Sequence, residues 1–153
     1  MKLGRRATIL VVLLGALAAV AVYVGLGRRA ATHPPLPAYA VARCELPPGR
    51  DAPFAISAAP AAPVATKLVA FAFAMGEGDV EPNPVDAKIV IAPDGAVRLE
   101  GRGRALEGSR EVRVVLGAAA DFKRYEDALA AARAGTSDGQ VRVLVVPIVR
   151  IAE

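Results

Sequence analysis

The sequence predicts an antiparallel β-sandwich carrying one short α-helix, set behind a single N-terminal transmembrane helix. Three observations carry this expectation. Residues 7–27 form an uncharged apolar run, residues 38–153 alternate at period two between turn signals, and one stretch near 122–134 switches to helical spacing.

The apolar run reads ATILVVLLGALAAVAVYVGLG. At about 1.5 Å rise per residue it makes a helix roughly 31 Å long, matching a hydrocarbon core of about 30 Å. A secretory signal has a shorter apolar region of about 7–15 residues and then a small-residue cleavage site. Here Gly27-Arg28-Arg29 follows instead, which favours a retained signal anchor. Lys2, Arg5 and Arg6 precede the run, so the excess of basic residues expects the N-terminus inside. That leaves residues 1–6 as a short cytoplasmic head and places the rest in the periplasm or outside, behind an inner-membrane span. Within the span, Gly15, Ala18, Val22 and Gly25 share one stripe that allows close helix packing.

Charge follows the same division. The formal net charge is +4, but five of the 19 basic residues flank the span (Lys2, Arg5, Arg6, Arg28, Arg29). From Ala30 onward, 14 basic residues face 15 acidic ones. The domain itself has no basic excess, which removes the electrostatic ground for nucleic-acid binding. The bilayer, through residues 7–27, is the first expected partner.

After the span, residues 28–37 read RRAATHPPLP, and Pro34, Pro35 and Pro37 favour an extended spacer. The only histidine, His33, falls in it and reads as a solvated linker residue. The β pattern then begins. Ala40, Ala42, Cys44 and Leu46 alternate with polar or larger neighbours as one strand, with Cys44 as a small buried residue. Phe54, Ile56 and Ala58 mark a second strand. In TKLVAFAFAM, Val69, Phe71, Phe73 and Met75 share one face and alanines the other. Lys88–Ile91 and Ala96–Glu100 flank Ala92-Pro93-Asp94-Gly95, which predicts a hairpin over 87–101: proline suits the second turn position and glycine accepts positive φ. Val112, Val114 and Leu116 give a further strand. Residues 141–151 give the last, with Pro147 forcing a bulge or an edge position.

One helix interrupts the strands. Asp121 is a suitable N-cap, Phe122, Tyr125, Leu129 and Ala132 fall on one face, and Gly135 supplies the stop. Strands this short, with turn signals every 8–15 residues or so, suit an immunoglobulin-like sandwich. The antibody-type Cys–Trp–Cys core is excluded, since the chain has one cysteine and no tryptophan. An α+β sheet with the helix on one face is the competing arrangement.

The succession LPPGRDAPFAISAAPAAP, IAPDGAVRLEG, EVRVVLG, an alanine-rich helix and VRVLVVPIVRI resembles the extracytoplasmic part of small bacterial single-span membrane proteins. The resemblance covers about 45–153. It implies an immunoglobulin-like domain behind the membrane helix, and it brings no site residues with it. Some such proteins carry a cytoplasmic regulatory module of the anti-sigma type, for which a six-residue head leaves no room.

No catalytic residues are expected. Nucleophilic catalysis needs a base beside Ser, Thr or Cys, and Ser57, Ser109 and Ser137 lie in no G-x-S-x-G context. Gly101-Arg102-Gly103 opens like a dinucleotide fingerprint, but Leu106 stands where its third glycine belongs. No cofactor is implied. The acidic loop 77–86 offers Glu77, Asp79, Glu81, Asn83 and Asp86 as oxygen ligands of the kind Ca²⁺ takes, outside any EF-hand pattern. Arg98, Arg102, Arg104, Arg110 and Arg113, interleaved with acids, form a candidate partner face. The expected function is therefore a non-enzymatic binding or assembly module of the envelope, engaging another envelope protein or a second copy. The alternative is a ligand-binding, Ca²⁺-binding or hydrolytic domain using the acidic loop.

Overall fold

A computed structural model of the chain describes residues 33–78, 81–122 and 124–152. The 7–27 span, with Gly15, Ala18, Val22 and Gly25, lies outside them, as does Asp79. Among the described residues no helix is long and apolar enough to cross a membrane.

The described residues are mainly β, with nine strands in two open sheets: β1 (Tyr39–Val41), β2 (Cys44–Leu46), β3 (Pro53–Pro60), β4 (Leu68–Gly76), β5 (Asn83–Pro84), β6 (Ala87–Ile91), β7 (Val97–Arg102), β8 (Ser109–Ala118) and β9 (Val141–Arg150). The helix α1 (Tyr125–Ala134) lies between β8 and β9. One sheet has the order β1-β3-β7-β6 and the other β2-β9-β8-β4-β5. Neighbours are antiparallel except β2 and β9, which run parallel with Cys44 opposite Ile148.

Period-two burial is the reason these segments pair as they do. Phe54, Ile56 and Ala58 of β3 and Val97 and Leu99 of β7 project from one sheet. They meet Cys44, Leu46, Ala72, Ala74, Val112, Val114, Leu116, Leu144 and Val146 from the other in one shared core. The hairpin expected over 87–101 forms, with Ile91 opposite Val97. At its turn Gly95 takes φ 93°, and the Asp94 carboxylate accepts the Ala96 N–H at 3.0 Å.

Several expectations are corrected. The segment 39–46 is not one strand: it leaves the first sheet after Val41 and joins the second at Cys44. The alternation also changes phase there: Tyr39 and Val41 pack on the core in β1, Ala40 and Ala42, expected inward, are exposed, and Cys44 and Leu46 turn inward in β2. Of the two positions expected for Pro147 the edge one holds: the β8–β9 register runs without a bulge from Gly117–Val141 to Glu111–Pro147. The parallel partner β2 starts at Ile148, so the proline sits beside an edge that is not yet paired.

The helix begins at Tyr125 rather than 122, with Arg124 at the N-cap and no side-chain cap. Asp121 is not the N-cap because its carboxylate is taken by His33 at 2.6 Å. The helix lies on the outer face of the five-stranded sheet, where Ala128 and Ala132 bury against Phe73, Val115 and Val143. The two faces of β4 thus serve two cores: alanines Ala72 and Ala74 face the other sheet, and Phe71 and Phe73 face the helix. The phenylalanine rings meet Phe122 and Tyr125 at centroid distances of 5.8–6.3 Å, within the range where edge-on and tilted pairs attract.

Candidate functional site

Strand direction assigns the loops to two ends. Tyr39, Pro60, the 92–96 turn, and the loops on either side of α1 lie at one end, where the chain arrives at His33. At the opposite end, the loop 47–52 after β2 meets the 3-10 turn Gly103–Leu106 after β7 and the last residues of β9.

This second end holds a hollow. About 350 Å³ in volume, it is lined by Leu46, Pro47, Arg50, Arg104, Glu107 and Arg150, among others. Backbone bonds fasten its two walls: the Gly103 N–H donates to Ala52 O at 2.8 Å and the Arg104 N–H to Arg50 O at 2.5 Å. Gly103 is needed there, because a Cβ would stand 2.9 Å from the Gly49 carbonyl. Arg150 is fixed by donating to the Leu106 and Ser109 carbonyls at 3.1 and 3.3 Å. Arg50 pairs with Glu107 at 2.9 Å and Arg104 approaches Asp51 at 3.9 Å. Those side chains are all more than 60% exposed, so water screens the pairs and an incoming carboxylate can replace either partner. Around the corner, Arg102 donates to Asp51 O at 3.1 Å. It lines two neighbouring hollows with Arg98, Glu100, Asp86 and Lys88.

The five arginines expected as one face are therefore dispersed. Arg98, Arg102 and Arg104 belong to this end or its approach. Arg110 pairs with Glu77. Arg113 lies on the outer face of the other sheet, bonding Glu111 at 2.7 Å and the last turn of α1. Sequence reasoning missed Arg50 and Arg150, which stand far from that run and reach the hollow only through the fold.

The acidic loop is drawn apart in a similar way. Glu77 goes to Arg110 and Glu81 to Arg133, Asn83 pairs with Ala74 in β5, and Asp86 borders the arginine hollows. Among the described residues, no three His, Cys, Asp or Glu side chains converge as a metal-ligand set.

One titratable group, Cys44, lies in the interior among the described residues, and Tyr39 is half-buried. Cys44 is fully buried and has no disulfide partner; burial pushes its thiol pKa up. Tyr39 donates to Gly95 O at 3.0 Å, and its pKa too is raised, by burial and then by the nearby Asp94 carboxylate.

No protein-family model, curated protein or solved structure is similar to this chain.

Proposed function

We propose that the protein is a membrane-anchored, non-enzymatic binding or assembly module of the bacterial envelope, with an immunoglobulin-like domain outside the inner membrane. Strand order supports the fold reading. An immunoglobulin domain sets strands A, B, E and D in one sheet and C, F and G in the other. Taken in chain order as A, A′, B, C, C′, D, E, F and G, the nine strands here fall into A-B-E-D and A′-G-F-C-C′. The anchor reading rests on the 21 uncharged residues of 7–27 and their basic flanks.

The observation that carries the binding reading is the placement of the arginine hollow at the end opposite the arriving chain. That end lies opposite His33 within the domain, and the arginines there favour an acidic segment of a partner protein. The lone histidine is committed to Asp121 at the other end, away from Ser109 and the arginine hollow.

Crosslinking in native membranes, followed by pull-down, tests this. Wild type is expected to capture one envelope protein or its own second copy, and Arg50→Glu with Arg104→Glu to lose it while still folding. Capture of monomer alone, or equal capture by the charge-reversed variant, would overturn the assignment.

A further inference from the structure

The segment that reads as a free spacer is fastened to the domain from His33 onward. Leu36 is 2% exposed, and its N–H donates to Gly139 O at 2.7 Å. Arg142 of β9 holds the same stretch from below: Nε donates to the Leu36 and Pro37 carbonyls at 3.1 and 3.0 Å, and Nη2 to Leu36 O at 2.6 Å. At the outer end of this strap, both nitrogens of the His33 ring face acceptors. Nε2 lies 2.6 Å from Asp121 Oδ2 and Nδ1 lies 2.9 Å from Pro34 O. The side chain is 9% exposed.

An imidazole satisfies two acceptors only when both nitrogens carry protons. The geometry points to a proton-operated clasp: doubly protonated His33 fastens the strap 33–37 to the loop before α1, and loss of one ring proton loosens it. A neutral ring keeps one N–H, so either the Asp121 carboxylate or the Pro34 carbonyl then faces a lone pair, and the attraction between unlike charges is gone. The other charged groups nearby have separate engagements. Arg142 serves the strap carbonyls, the Asp138 carboxylate accepts the Gln140 and Val141 N–H groups, and Arg124 approaches Asp127 at 3.5 Å. Asp121 is the one charge acting on the ring among the described residues.

The sign follows from the contacts. The hydrogen bond to Asp121, then that to Pro34, raises the His33 pKa above its ordinary 6.5, against a smaller lowering by burial. The clasp is therefore fully closed below about 6.5 and opens as pH rises through the raised value. In the anchored arrangement, opening frees about three residues, 33–35, at roughly 3.1 Å each, between membrane and domain. Local pH thus sets the length of the leash.

Because His33 is the only histidine, its ring resonances can be followed without ambiguity in the full-length protein in lipid nanodiscs. Three results are expected. His33 titrates above 6.5, Asp121→Asn lowers its midpoint, and the protection of the Leu36 amide against hydrogen exchange, normalised to Val114, falls across that midpoint. Each unit of midpoint difference between closed and open strap corresponds to about a tenfold fall in the closed-to-open ratio. In His33→Gln, Leu36 protection is expected to be low and independent of pH. A wild-type midpoint at or below 6.5, or Leu36 protection that stays flat through the titration, would overturn the clasp, and wild type alone decides this if a variant fails to fold.

Discussion

Arg113 on β8 closes the far end of the helix: its Nη1 donates to the Ala132 carbonyl of α1 at 2.7 Å. The last carbonyls of a helix lack intrahelical donors and carry the negative end of its dipole. A guanidinium there answers both needs, while Glu111 at 2.7 Å keeps it oriented. Its side chain is 19% exposed, so water screens the contact only in part. Arg113→Met is expected to lower unfolding free energy by about 1–2 kcal/mol, and Arg113→Lys by less. Urea titration checks both, and equal losses would show that the charge alone contributes nothing and that the guanidinium fork accounts for the whole effect.

Gly117 gives a second prediction. A Cβ there would stand 1.7 Å from Phe122 Cε2, so the glycine is what lets that ring lie on the sheet. Gly117→Ala should cost about 1–3 kcal/mol through displacement of the ring. Combining it with Phe122→Leu should cost less than the sum of the two single changes, and a double-mutant cycle by thermal melting measures the difference.

Cys44 supplies a third. Its sulfur is sealed between the sheets and burial holds the thiol protonated, so the nucleophilic thiolate is scarce and inaccessible. Labelling by a thiol reagent at neutral pH is expected to follow the opening rate of the domain and to become immediate in urea. Rapid labelling of the native protein would contradict this burial.

His33 gives a pH dependence of stability as well as of exchange. Since its pKa is raised in the folded protein, wild type should gain melting temperature over His33→Gln below about pH 6.5 and lose that margin at higher pH. The comparison removes every other titrating group. A margin that grew as pH rose would reverse the assigned sign.

Much of the fold is legible in the chain because it is written locally. Pro93-Asp94-Gly95 specifies a hairpin wherever it falls, and Val112, Val114 and Leu116 alternate without interruption. Gly135 ends α1 in the left-handed conformation at φ 67°, as its position after a helical pattern implies. What escapes is information carried by distant partners. Nothing around Ala42 marks a change of sheet, and Asn83-Pro84 pairs with β4 without any strand-like composition. Asp121 has the chemistry of an N-cap, but a histidine 88 residues away claims it. The arginines fail as a group for a related reason: neighbours in sequence on β7 and β8 belong to different sheets, whereas Arg50 and Arg150 become neighbours only once β2 and β9 pair.

The sheet switch at Ala42–Arg43 also has a mechanical meaning. A load applied between the arriving chain at His33 and a partner gripping the opposite end runs along the strand axes. Past the strap held by Arg142, the load passes along β1, bonded antiparallel to β3, and β2, bonded parallel to β9. Both are then dragged lengthwise past their neighbours, so their backbone bonds are strained together instead of being unzipped singly. Eight residues of chain, 39–46, spread the pull over both sheets at once. Strands loaded in shear across two sheets in this way resist extension.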